Sequence, residues 1–321
     1  YLSDSILNIK SMDCVSHSVM FHHFHNAQYL PSQGSLSSSD FIQMIDWLND
    51  RYSILNASDY KKKFENSTLN GTDICLSFDD ALKCQFDIAY PILERLGIES
   101  YFFVYSSVFS NKPDFLEIYR EFRTVCYENI DEFYIDFFGV VKSMDKDMYI
   151  AQKAKYSSLN YLSAFPFYSE NDKWFRYIRD NYLIKNQYED IMSALMIKKD
   201  FDVNLAKQKL WMSENDLITL DSSGHTIGLH SYSHPTKMSK LKKSEQKLQY
   251  QRNYKHLSEL LGKSINSMSH PCGDYDQNTL NILKEIPIEI GFRSNMSIKE
   301  ARSPLEIPRE DHANVFKLMQ R

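Results

Sequence analysis

The chain has no strongly basic stretch. Its 37 Lys and Arg stand against 42 Asp and Glu, for a formal charge of −5. That balance argues against nucleic acid as a partner, and the short run Lys61-Lys62-Lys63 reads as a solvated helix end. No segment approaches the ~18–20 continuous apolar residues of a membrane helix, and no signal peptide is visible. Cysteine is sparse and odd in number: Cys14, Cys75, Cys84, Cys126 and Cys272, with no C-x-x-C pair. A disulfide framework and a cysteine zinc site therefore have little support, and reduced thiols in a cytoplasmic protein are expected. Glycine is scarce at 9 of 321 residues, whereas Tyr (21) and Phe (20) are abundant. Such a surplus suits aromatic cores or sugar-binding surfaces. Repeats and low-complexity tracts are absent. The length suits one large α/β domain with room for a sizeable insertion.

A strand–helix rhythm runs through both ends of the chain. Val15–Phe24 reads as a buried strand, and Ser39 or Asp40 as the cap of a helix carrying Phe41, Ile42, Met44, Ile45, Trp47 and Leu48. Short strands are expected over Tyr52–Leu55, Asp73–Phe78 and Ser100–Tyr105, with an amphipathic helix from Ala81 to Leu96 stopped by Gly97. This is the pattern of a parallel sheet with crossover helices. From about residue 113 to 210 the rhythm fails. That stretch, rich in Tyr, Phe, Lys and Asp, reads as several helices without a strand. It is expected as a helical insertion in a single domain, placed to edge a sugar site. Afterwards come a capped helix from Ser213, the strand Thr226–Leu229, a long polar helix from Ser239 to Leu261, and strands over Ile265–Met268 and Ile288–Phe292.

Two motifs carry chemistry. Leu76-Ser77-Phe78-Asp79-Asp80 delivers two carboxylates at the end of an apolar run. His230-Ser231-Tyr232-Ser233-His234-Pro235 delivers two imidazoles four residues apart after another. One carboxylate with two imidazoles makes three ligands for a divalent metal and leaves positions open for water and substrate. The other carboxylate remains free as a base. An Asp-Asp pair alone is often a helix cap, and Asp79 could cap a helix beginning near Ala81. Further candidates follow in order along the strand ends: His22/His23, Pro271-Cys272-Gly273 and Arg309. Such residues converge on one face of an α/β barrel. Alternation sends His22 and His23 to opposite faces. Arg309 is assigned a supporting role beside the base, and Cys272 reads as a small buried residue rather than a nucleophile.

These residues resemble the polysaccharide deacetylases of carbohydrate esterase family 4. Leu76–Asp80 is similar to that family's T-F-D-D-G motif, His230–His234 to H-[ST]-x-x-H, and Ser269–Tyr275 to the motif built on P-Y-G or P-F-G. Departures are Ala81 for the usual Gly, Cys272 for the usual aromatic, and the absence of an Arg before Pro271 and of a C-terminal L-x-x-H-D. The resemblance implies an α/β fold, a distorted (β/α) barrel of about seven strands. It implies one divalent metal, zinc as the expected ion, on Asp80, His230 and His234, with Asp79 as general base. Met20-Phe21-His22-His23 is similar to the Y-H segment from which the permuted poly-N-acetylglucosamine deacetylases take their acid, which makes His22 the matching acid. The implied reaction is hydrolysis of an acetamido sugar with release of acetate. The backbone N–H of Cys272 would share the oxyanion. Two alternatives stand beside it: a deformylase or other amidohydrolase on an acylated amino sugar, and a non-catalytic sugar-binding relative.

Overall fold

The structure is a computed structural model that describes residues 15–162 and 168–320. Cys14 and Pro166 lie outside the described residues. The chain divides into two compact units, Tyr1–Asp114 with Lys209–Arg321, and Phe115–Gln208.

The first unit is a parallel barrel. Its strands are β1 (His17–Phe21), β2 (Ser53–Ile54), β3 (Asp73–Asp79), β4 (Tyr101–Val104), β5 (Thr226–Leu229), β6 (Ser267–Ser269), β7 (Ile290–Phe292) and β8 (Arg309–Asp311). They follow the order β7-β6-β5-β4-β3-β1-β8, with β2 beside β3. The pairings are parallel. One late segment nearly closes the ring. Ile307 exchanges hydrogen bonds with the end of β7, through Ile307 N to Gly291 O (2.9 Å) and Arg293 N to Ile307 O (2.8 Å). One residue further on, Pro308 O accepts from Ser18 N at 3.1 Å, and β8 then runs along β1. Seven strands thus form the wall of an α/β barrel.

Strands β4 and β7 are buried at every residue and read as continuous apolar runs rather than alternating ones. Cys75, Tyr101, Phe103, Ile290, Phe292 and Ile307 pack together with Ala57 and Tyr60 in one buried cluster. Residues of opposite parity stack elsewhere: Phe78 on Phe102 at 4.7 Å between centroids, and Phe21 edge-on to Phe41 at 5.1 Å. Phe41 belongs to α1 (Ser38–Asn49), so that helix covers the second face. The same alternation carries Cys75, Ser77 and Asp79 on one face of β3. The other helices of this unit are α2 (Ala57–Glu65) and α3 (Tyr90–Leu96) early in the chain. After the second unit come α10 (Glu214–Ser222), α11 (Lys243–Leu261), α12 (Gln277–Lys284) and α13 (His312–Met319).

The second unit contains helices and, among its described residues, no strand: α4 (Phe115–Cys126), α5 (Ile130–Met144), α6 (Lys146–Ser157), α7 (Glu170–Tyr177), α8 (Lys185–Lys198) and α9 (Val203–Leu210), the last running past the boundary. It has an aromatic core of its own, in which Phe175 meets the edges of Phe133 at 5.5 Å and Phe137 at 4.9 Å. The abundance of Phe and Tyr in this stretch is therefore used largely for packing.

Local boundaries differ from the sequence reading in two informative places. The cap of α1 is Ser37, not Ser39 or Asp40, because Asp40 reaches back to Ser37 as the second half of a capping box. The helix expected from Ala81 starts later. Asp80 and Ala81 adopt positive φ, +77° and +54°, and Leu82 bridges Trp211 before a wide helical turn at Gln85–Ala89 leads into α3. Gly97 ends α3 at φ +66°, as its position predicts.

Candidate active site

Asp79 is the last residue of β3, and only 2 % of the residue is exposed. It does not cap a helix. Arg309, the first residue of β8 and fully buried, meets it with two parallel bonds of 2.7 Å, Nη1 to Oδ1 and Nη2 to Oδ2. The guanidinium is held in turn: Nε donates to Arg293 O at 2.5 Å and Nη1 approaches Ser77 Oγ at 3.3 Å. Such a bidentate pair fixes both the charge and the plane of the carboxylate. Burial disfavours the ionised form of Asp79, but Arg309 outweighs it, with His230 in support, and holds the carboxyl below its ordinary range. Asp79 is consequently an oriented anion.

The next residue turns the chain. The positive φ of Asp80 directs its carboxylate to the two imidazoles. His230 Nε2 and His234 Nε2 each lie 3.4 Å from Asp80 Oδ1. Those separations exceed an ordinary N–H···O bond, and Asp80 Oδ1 is buried with no hydrogen-bond partner. One ligand atom from each of the three residues fits within 4.8 Å of the others. Two imidazoles and an orphaned buried carboxylate oxygen are the donor set that a divalent cation satisfies, so these residues fit one.

The two histidines reach this position by different routes. His230 directly follows β5, where Asn253 of α11 accepts from its backbone N–H at 2.9 Å. Its Nδ1 faces Ser269 O at 3.0 Å and Ser269 Oγ at 2.7 Å, and the Ser269 hydroxyl also donates to Asp79 at 3.3 Å. With the proton on Nδ1, the Nε2 lone pair faces Asp80. His234 sits at φ +53° with its N–H on Ser231 Oγ, and Ser231 is itself at φ +65°. Asp80, Ala81, Ser231, His234 and Cys272 make five of the nine non-glycine residues at positive φ among those described. Backbone strain is thus concentrated around this group of side chains.

His22 and His23 do not lie on opposite faces. β1 ends at Phe21, so strand alternation no longer applies, and the two rings lie side by side, 6.1 Å and 17° apart. His22 Nε2 is 3.9 Å from Asp80 Oδ2, and its carbonyl is tied by Gln85 Nε2, which also bonds Asp79 O. His312 is remote from this role, with its ring nitrogens on the carbonyls of Met20 (3.2 Å) and Gly34 (2.7 Å). Cys272 lies at φ +53° in a tight turn, Pro271–Gly273, just after β6. The residue is exposed, not buried as expected, because the turn carries it past the end of the strand; desolvation of the thiol, with Asp80 and Asp114 nearby, pushes it up to about 12, which removes it as a thiolate nucleophile at neutral pH. Two side chains beside the histidines were not singled out as site residues: Ser269, at the head of the third motif, and Asp114, in none of the motifs, whose Oδ2 lies 3.4 Å from His234 Nδ1.

His270 is buried and structural. Its Nε2 bonds Leu305 O at 2.9 Å and its ring stacks on Tyr275 at 4.0 Å. Burial pulls its pKa down to about 4. The unfolded chain therefore takes up a proton near 6.5 that the folded chain refuses until about 4. Stability is full above 6.5 and falls with pH through that window, by about 3 kcal/mol in total. His17 and His312, also lowered by burial, act in the same direction. Unfolding followed by denaturant at stepped pH is expected to show this fall, and His270→Gln to reduce its slope by about one proton. An unaltered slope in the variant would contradict the assignment.

A family model described as polysaccharide deacetylase matches residues 191–291, a segment containing His230, His234 and the Pro271–Gly273 turn. No curated protein matches the chain. Among solved structures, the fold is similar to a Streptococcus pyogenes deacetylase, PplD, solved in complex with acetate (12% identity, 92% of each chain, TM-score 0.54). It is also similar to IcaB from Ammonifex degensii (13% identity, 92% of this chain and 91% of that one, TM-score 0.54). A third is a de-N-acetylase from Aggregatibacter actinomycetemcomitans (14% identity, 92% and 93%, TM-score 0.53). At such identities these likenesses speak for the fold. The matched family segment carries His230 and His234 of the candidate site, and the fold around it is that of solved deacetylases.

Proposed function

We propose that this protein removes an N-acetyl group from an acetamido sugar carried on a glycan, a glycolipid or a nucleotide-sugar precursor. The observation that carries the reading is the pairing of two adjacent carboxylates in different states: Asp79 locked by Arg309, and Asp80 set against His230 and His234.

Asp80, His230 and His234 would hold one divalent ion, zinc being the ion that suits two imidazoles and a carboxylate. When bound, such an ion supplies Lewis-acid polarisation of the amide carbonyl and makes a water more acidic. Asp79, kept ionised by Arg309, takes the proton from the attacking water. Arg309 orients the carboxylate and keeps its second oxygen from rotating away. The N–H of Cys272 donates to the oxyanion of the tetrahedral intermediate. His22 delivers a proton to the amine as the C–N bond breaks, and acetate and the free amino sugar leave.

The acid assignment gives a direct expectation. His22→Ala should retain zinc and its melting temperature, lower turnover by about 10²-fold, and lose the alkaline limb of the pH profile. A profile unchanged in His22→Ala but collapsed in His23→Ala would move the role to His23. The reaction itself is tested by measuring acetate and formate released from a panel of acylated sugars and glycolipids. Acetate from N-acetyl substrates supports the proposal; formate alone would make the protein a deformylase, and neither product with retained sugar binding would make it a binding protein.

A further inference from the structure

The two imidazoles of the candidate metal site are backed by different chemistry. Behind His230 stand a neutral carbonyl and hydroxyl of Ser269. Behind His234 stands a carboxylate, with Asp114 Oδ2 3.4 Å from Nδ1. Asp114 follows the short helical turn Ser106–Ser110, in a stretch that belongs to none of the three motifs. His234 needs an orienting partner more than His230 does. It lies beyond the end of β5, at φ +53°, so no strand register sets the direction of its side chain. Ser231 fixes its backbone through a 3.1 Å bond, and Tyr105 flanks its ring at 5.4 Å, but neither contact chooses between the two ring nitrogens.

We propose that Asp114 is the positioning residue for His234: it accepts the Nδ1 proton, turns Nε2 toward Asp80, and thereby strengthens binding of the divalent ion. The proposal rests on the metal-site reading above. Its physical basis is general. A carboxylate behind a ligating imidazole fixes the tautomer and ring plane and makes the ligating nitrogen more basic, and loss of such a partner costs about 10–100-fold in metal affinity. The site is then asymmetric, with one histidine held by neutral groups and the other by charge.

The test measures zinc affinity by competition with a chromogenic chelator, without any sugar substrate. Asp114→Ala is expected to bind zinc about 10–100-fold more weakly than the parent. Asp114→Asn should fall between the two, since its amide oxygen still accepts a bond but carries no charge. The metal-free melting temperature should stay within a few degrees of the parent. With cobalt in place of zinc, the visible absorption of Asp114→Ala should shift, because one imidazole loses its fixed orientation. Zinc affinity within about threefold of the parent in Asp114→Ala, against that expected loss, would overturn the proposal. Should the alanine variant fail to fold, parental affinity in Asp114→Asn overturns it equally. If the parent itself binds neither zinc nor cobalt, the metal-site reading falls and the proposal with it. If the parent binds and both variants bind as well, only the role of Asp114 falls.

Discussion

Asp79→Asn should lower turnover by about 10²-fold or more while zinc binding persists. The substitution keeps the shape of the side chain and removes the charge that accepts the water proton. It also has a structural consequence that the motif alone does not reveal. Arg309 is fully buried and gives two 2.7 Å bonds to Asp79, so the asparagine variant leaves a buried guanidinium without its counter-ion. Breaking a buried pair from one side costs about 3–5 kcal/mol. The variant should therefore lose stability and activity together. A double variant, Asp79→Asn with Arg309→Met, separates the two effects. Most of the lost stability should return, because neither charge remains to be desolvated, while turnover should stay low. Chemical denaturation and initial-rate measurements on the three proteins decide the matter. Near-parental turnover in Asp79→Asn would reduce Asp79 to a structural counter-ion of Arg309.

Removing His234 should abolish tight metal binding, and removing His230 and His234 together should leave none. Losing the partner of a metal-bound histidine already costs about 10–100-fold, so losing the ligand itself should exceed about 10²-fold. The pH dependence of binding follows from the environment of His234. Burial works against its protonation, but Asp80 and then Asp114 push the imidazole up to about 9. At neutral pH the metal-free protein carries a proton there that the metal must displace. Affinity should thus rise with pH, by about tenfold per unit between pH 7 and 9, and flatten above. Without metal the same proton is stabilising: the contribution is full below about 6.5 and is lost as pH rises through about 9. Calorimetric titration with zinc in buffers of different ionisation enthalpy counts the released proton. Full zinc occupancy in His230→Ala, His234→Ala would place the metal elsewhere.

Much of the site was legible in the chain because its chemistry is local. Asp79 and Asp80 are adjacent, and His230 and His234 are four residues apart, so residue type and spacing are enough to bring out a candidate ligand set. The strand–helix rhythm likewise follows from local propensity, and it leads to a parallel α/β barrel without knowledge of any contact. The interruption of that rhythm marked a helical stretch, observed as α4–α9. What the chain did not disclose depends on separations that no local pattern encodes. Asp79 meets Arg309 across 230 residues, because one late segment binds first β7 and then β1 and brings the start of β8 beneath the end of β3. His230 meets Ser269 across 39 residues and His234 meets Asp114 across 120. Ser and Asp are common loop residues, so nothing in their identity distinguishes these two from the rest. The opposite faces expected for His22 and His23 failed for a related reason. Alternation holds only while a residue is in the strand, and β1 ends at Phe21 once its pairing with β3 stops at Phe78. Local sequence determined which residues are candidates for the chemistry. The curling of the sheet into a nearly closed barrel decided which of them touch, since it brings the ends of β3, β5 and β6 and the start of β8 to one buried charge pair.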